Sequence, residues 1–215
     1  MHNPPTAEHP PAGPGALDFR AAIPAYVRAQ ARPVDKFSHQ PRLYELTRQV
    51  ADGLAADDDI LFAAAWLHDL GVFVGHRPEE PVALAQWDNV AYACARAPAL
   101  LVGFGFPAAK IPAVVEAIRT HTPAGEPTTL EGVILRDADI LEQLGAVGLL
   151  RTISKVGRDT RFSTFADALR SLQRVSDTLP GQLRLPRARE LAAPRLAFLR
   201  AFVKQARSEG GGIAW

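Results

Sequence analysis

The chain has 215 residues, 47% hydrophobic and 22% charged, which suits one domain with a sizeable buried core. Its 24 basic and 23 acidic side chains leave a formal net charge of +1, so no field of one sign draws it to nucleic acid or to an anionic membrane. No apolar run approaches the roughly eighteen residues that cross a bilayer, and the first residues lack the basic and apolar regions of a secretory signal. Cys94 is the single cysteine, which excludes an internal disulfide framework and fits a reducing, cytoplasmic compartment.

Residues 1–16 hold five prolines, two glycines and one apolar side chain larger than valine, Met1. Such a composition does not offset the ordering entropy of a packed core, and a flexible tail is expected there. From residue 17 to 208 the apolar positions recur mostly at the helical period, which marks a single domain followed by a short tail, 209–215. A first helix is expected from Leu17 to Ala31, interrupted at Pro24. A second opens near Ser38 or Pro41 and carries Leu43, Leu46, Val50 and Leu54 at three- and four-residue steps. Asp57, Asp58 and Asp59 then supply an N-cap and first-turn acids for a third helix, Ile60 to Leu70, which Gly71 ends.

Gly75 to Pro81 reads as a loop. Further helices are expected at about 83–97, 98–104, 107–121, 130–150, 162–178 and 188–207. Pro107 and Pro112 fall early in their segment, where a missing N–H is tolerated. No stretch sustains period-2 alternation with β-branched enrichment, so the expected architecture is an all-α helical bundle. The apolar residues of the last helix, Leu196, Phe198, Leu199 and Phe202, serve either the core or a homodimer contact.

The chemistry-bearing side chains are His39, the pair His68-Asp69, His121, and the acids Asp137 and Asp139. The His-Asp pair closes the very apolar run Ile60 to Leu67, so it sits at the end of a buried helix. Ionisable groups there need partners, because an unpaired buried charge costs several kcal/mol. Neighbouring helical residues point about 100° apart, so both can reach one ion placed off the helix end. Imidazole and carboxylate together suit Mn, Fe, Co, Ni or Zn as a divalent ion, with no need for Cys94. The bland alternative is a hydrogen-bonded His-Asp pair that meets the helix dipole.

The order His39, then Trp66-Leu67-His68-Asp69-Leu70-Gly71, then Arg136-Asp137-Ala138-Asp139-Ile140-Leu141 resembles the HD-domain metal-dependent phosphohydrolase superfamily, and more narrowly its small stand-alone bacterial hydrolases. Leu144-Gly145-Ala146, Gly148 and Arg151 extend the match, as do the segments Phe106 to His121 and Ala188 to Ala192. The likeness spans roughly residues 35 to 205. It implies an HD-type helical bundle and one divalent transition metal held by His39, His68, Asp69 and Asp139. The family pattern selects Asp139 over Asp137, and two residues about 200° apart on a helix do not face one ion together. Asp137 would then cap, or pair with Arg136 or Arg151.

Relatives with two metals place two further histidines before the last aspartate. Here His121 fits one place, but the stretch Gln86 to Asn89 has no histidine and His76 lies only seven residues past Asp69. One metal is therefore expected.

Arg42 reads as the partner of an acid such as Glu45, or of a carboxylate behind the ligands. Lys36, Arg119 and Lys155 are candidates for a substrate phosphate against a default of solvated cations, and Asp88 and Asn89 for lining the site. Gly103-Phe104-Gly105 has no strand before it and no following basic residue of P-loop kind, so a phosphate-cradling loop is not expected. The arginines from 184 to 189 form a solvated face or an interface rather than a nucleic-acid groove.

The resemblance thus implies hydrolysis of a phosphate ester or anhydride of a small molecule, nucleotides foremost. Asp69 serves as ligand and water-orienting base, and His121 contacts substrate or the leaving oxygen. An HD-fold iron oxygenase, a metal-dependent lyase or hydratase, and a nucleotide-sensing module without turnover are the alternatives.

Overall fold

The computed structural model describes residues 18–158 and 162–210; the Pro-rich segment expected as a tail and the last five residues lie outside them. The described residues form α-helices joined by turns and short 3-10 segments, with no strand among them, in line with the all-α expectation. The helices are α1 (Phe19–Gln30), α2 (His39–Val50), α3 (Asp58–Leu67), α4 (Pro81–Ala85) and α5 (Asn89–Gly103). They continue as α6 (Ile111–Thr120), α7 (Leu130–Leu144), α8 (Ala146–Ile153), α9 (Phe165–Thr178) and α10 (Pro186–Glu209). None is long and apolar enough to cross a membrane.

The bundle is organised around α3. Every residue from Ile60 to Leu67 is buried, and a helix apolar on all sides is stable only when other helices enclose it. Helices α1, α2, α6 and α7 pack around it. Its N-terminus is pinned by the acidic run. Asp57 accepts the Asp59 and Ile60 backbone N–H groups at 3.0 and 3.4 Å, the capping the sequence predicts. Lys110 Nζ sits 2.7 Å from Asp57 and 2.8 Å from Asp59, while Arg20 reaches Asp58 at 2.9 Å and also pairs with Asp59. These contacts tie α1 and the turn before α6 to one end of α3, which fixes where its other end emerges.

Several boundaries differ from expectation for identifiable reasons. Helix α1 runs unbroken through Pro24, because the burial of Ile23 and Val27 on either side holds it across the lost hydrogen bond. The segments expected at 83–97 and 98–104 are instead the short α4 and one continuous α5 that passes through Pro98. The expected helix at 130–150 is two helices, because Gly145 takes an extended conformation between α7 and α8. The turn there is so tight that a Cβ on Gly148 would lie 2.4 Å from the Gln143 carbonyl oxygen.

Helix α3 stops at Leu67, one residue before His68, and Gly71 falls in a short 3-10 segment instead of acting as a left-handed helix cap. Glycine is needed at 71 for a different reason. A Cβ there would lie 2.4 Å from the Asn89 carbonyl oxygen, so only glycine lets the start of α5 approach this turn.

Asp137 is fully buried on α7, and its carboxylate accepts the backbone N–H groups of Arg184 and Leu185 at 3.0 and 2.8 Å. It lies 3.8 Å from Arg136 and so docks the start of α10 onto α7, while the expected alternative partner, Arg151, binds elsewhere. Removing this acceptor strands two buried donors. Asp137→Ala is expected to lose about 3 kcal/mol of stability, read as a lower midpoint in thermal or urea denaturation.

Candidate metal centre

Three helix ends converge on the middle of a fourth helix. His39 opens α2, His68 follows the last residue of α3, His121 follows the last residue of α6, and Asp139 projects from the third turn of α7. All three histidines are buried, and the side chains of Asp69 and Asp139 keep 18% and 16% exposure. The centre therefore has protein on most sides and an opening on the side of its carboxylates.

Each imidazole has its Nδ1 occupied. His68 Nδ1 donates to the Ala65 carbonyl at 2.9 Å and His121 Nδ1 to the Ile118 carbonyl at 2.6 Å. Both acceptors lie three residues back in the same chain, among the carbonyls left unbonded at a helix C-terminus. A histidine just past a helix end thus fixes its own tautomer with the helix that carries it. At His39 the carbonyl three residues back, Lys36, takes the residue's own backbone N–H, and its Nδ1 donates instead to Glu142 Oε2, one turn beyond Asp139. Arg151 Nη1 donates to the same oxygen and approaches His39 Nδ1 at 3.0 Å, two donors sharing one acceptor. Arg42 Nε donates to the other Glu142 oxygen at 3.0 Å.

With the Nδ1 protons tied back, the Nε2 lone pairs face inward. His39 Nε2 lies 3.1 Å from His68 Nε2. Asp69 Oδ2 is 3.5 and 3.6 Å from these two nitrogens, and Asp139 Oδ1 is 3.9 Å from His39 Nε2. The His121 ring meets the His68 ring edge to face, with centroids 4.9 Å apart. A set of acceptors turned toward one another with no donor among them is completed by a cation. The residues present therefore fit a divalent ion, and the trio His39, His68 and Asp69 has ligand atoms close enough to share one.

Burial and neighbouring charge set the protonation states. Burial pushes the His68 pKa down to about 3, only partly opposed by Asp69, so its imidazole is neutral. Burial acts to raise the Asp69 pKa, but the neighbouring His68, His39, His121 and Arg151 outweigh it and hold it well below the ordinary range. Asp139 is pushed up, mainly by burial and further by the Asp69 carboxylate. Glu142 is held at about 2 despite its burial, by the His39 hydrogen bond and the charges of Arg151 and Arg42.

Glu142 is the residue that the sequence reading missed. Its one visible signal is its place three residues after Asp139 on the same helix. Arg42 meets this carboxylate, whereas Glu45 pairs with Arg48. His76 is held outside the centre, by the Leu70 carbonyl at 2.9 Å and Gln30 at 3.0 Å. Arg119 pairs with Glu116, Lys155 lies over the Phe162 ring, and Asp88 caps α5 through the Ala91 N–H.

An all-α bundle that brings a His-Asp pair, a preceding histidine and a distal aspartate to one spot belongs to the helical proteins that bind a divalent metal. The HD domain model matches residues 37–144, half of the chain, and the chain belongs to the HD domain family. The uncharacterized Bacillus subtilis protein YpgQ is 27% identical over 187 residues, spanning 81% of this chain and 84% of YpgQ. A solved predicted HD superfamily hydrolase from an uncultured Thermotogales bacterium is 27% identical, covers 87% of this chain and 90% of its own, and superposes with a TM-score of 0.61. The structure of YpgQ in complex with ADP superposes with a TM-score of 0.67 at 24% identity, over 92% of this chain and 98% of that one.

The low pKa of His68 predicts an acid-sensitive metal-free fold. Below about pH 6.5 the unfolded histidine binds a proton that the folded one refuses until about pH 3. Stability is therefore lost as pH falls through this window, by up to about 1.4 kcal/mol per pH unit from this group. Denaturation midpoints of metal-free protein between pH 7 and 5 measure it, and the slope is expected to flatten in His68→Asn.

Proposed function

We propose that the protein is a metal-dependent phosphohydrolase that uses one divalent transition ion to cleave a phosphate ester or anhydride of a small molecule. His39, His68, Asp69 and Asp139 hold the ion. The observation that carries this reading is the meeting of the two Nε2 lone pairs, 3.1 Å apart, with two carboxylates beside them. Nucleotides stand first among the substrates because YpgQ, related along most of this chain, has been solved with ADP.

When bound, a divalent ion supplies a Lewis acid for a phosphoryl oxygen and a water of lowered pKa. The side chains around it divide the remaining work. Asp69, ionised and partly open to solvent, accepts a hydrogen from the attacking water and orients it. His121 has Nδ1 tied to Ile118, which leaves Nε2 as the nitrogen that would donate to the leaving oxygen. Glu142, clamped by Arg42 and Arg151, keeps the His39 Nε2 lone pair aimed inward. The oxygenase alternative needs further imidazole ligands, and the engagement of His76 with Leu70 and Gln30 speaks against it.

Metal analysis after reloading with Mn, Fe, Co, Ni or Zn is expected to give one ion per chain. Asp139→Asn is expected to weaken metal binding at least about tenfold, while folded Asp137→Asn keeps it, because Asp137 serves the α10 junction. Release of phosphate and of pyrophosphate should be assayed on nucleotides and simple phosphate esters. Turnover is expected to require metal and to vanish in a folded His68→Ala/Asp69→Ala variant. A loaded site with no turnover on any phosphate substrate would overturn the hydrolase reading and favour the sensor.

A further inference from the structure

Behind the metal centre, on the far side of Glu142, α2, α7, α8 and α10 enclose a second cavity of about 520 Å³. That volume is typical of small-molecule sites. None of His39, His68, Asp69 or Asp139 lines it. Its walls are largely apolar, with Leu46, Leu141, Val147 and Phe198 contributing side chains. Two arginines, Arg42 and Arg195, also line it.

Two arginines and two glutamates, Glu45 and Glu142, line the cavity, so its formal charges cancel, but its hydrogen bonding is incomplete. Glu142 is already engaged by Arg42, Arg151 and His39, and Glu45 pairs with Arg48 at 3.3 Å. Arg195 has no such engagement among the described residues. Its Nη1 is buried without a hydrogen-bond partner, and its side chain lies across Gly145, 3.5 Å from where a Cβ would stand. A buried guanidinium N–H with no acceptor is unfavourable, the more so because the group is charged. Arg42 uses only its Nε, at 3.0 Å from Glu142, which leaves its terminal amino groups for another acceptor. The start of α8 adds a third feature, since Ala146 and Val147 line the cavity and the N-cap Gly145 offers no side chain to their amides.

We propose that this cavity is a binding site, separate from the metal centre, for a small amphipathic anion: an oxyanion head on Arg195 and Arg42, with an apolar body against Leu46, Leu141, Val147 and Phe198. The head pairs with the guanidinium groups of Arg195 and Arg42, whose planar N–H forks suit an oxyanion. The body supplies the burial that a bare inorganic anion lacks. Because Glu142 forms a wall of this cavity and also holds His39, the occupant sits one side chain away from a candidate metal ligand.

The test is calorimetric titration of metal-loaded protein with hexanoate and hexyl phosphate, with inorganic phosphate as the head alone and hexanol as the body alone. One saturable site per chain is expected for at least one of the two amphiphiles, and which of them binds identifies the head group. The head and the body alone are expected to bind at least about tenfold more weakly. Arg195→Met is expected to weaken the amphiphile at least about tenfold. Phe198→Asp changes a half-exposed position, so it leaves the fold intact and gives a second reading should Arg195→Met fail to fold. The folded His68→Ala/Asp69→Ala variant is expected to retain binding. Absence of saturable binding, or binding that survives both cavity substitutions, would overturn the proposal. So would binding lost only in the His68→Ala/Asp69→Ala variant, which would place the anion at the metal centre.

Discussion

Two imidazole nitrogens with their lone pairs 3.1 Å apart and carboxylates on either side form an arrangement that a protein does not hold without compensation. Each Nε2 is an acceptor facing an acceptor, in a place where water cannot screen the repulsion. The fold imposes this geometry by enclosing α3 completely, so that His68 and Asp69 leave the helix at a point with little freedom to move. Fixing the acidic N-terminus of α3 to Arg20 and Lys110 holds the opposite end. A cation held here would relieve the repulsion, and without one the surrounding helices carry the cost.

The same outcome, an inward-facing Nε2, is reached at His68 and His121 by one device and at His39 by another. Where a helix ends, its last carbonyls have no partner along the chain, and a histidine just beyond it closes one of them. At His39 the preceding carbonyl of Lys36 is taken by the backbone N–H of His39 itself, and a carboxylate comes from elsewhere. Helix α7 provides it with Glu142, one turn past Asp139, so one helix face supplies both a candidate ligand and the group that orients another. Arg42 and Arg151 offset the burial of that carboxylate, which is the reason Glu142 stays ionised.

Much of this was legible before any coordinates. The apolar run Ile60 to Leu67 requires an enclosed helix, the three aspartates before it mark a capped start, and the resemblance to the HD superfamily implies a cation site shared by His39, His68, Asp69 and Asp139. Other elements were read less well. Pro24 and Pro98 did not end their helices, because the burial of neighbouring side chains outweighed a missing hydrogen bond. Gly71 was expected as a helix cap, yet its lack of a side chain matters for the approach of Asn89, a residue eighteen positions away.

Sequence by itself determined the helical class, the buried central helix and the residues rich enough in chemistry to hold an ion, because these depend on periodicity and side-chain type. Tertiary structure decided what Asp137 does, since only the packing of α10 on α7 brings the Arg184 and Leu185 N–H groups to its carboxylate. It also decided the role of Glu142 and left Arg195 Nη1 without a hydrogen-bond partner among the described residues. A charged side chain on a helix looks solvated in sequence, and only the packing of distant helices removes its water and selects its partner.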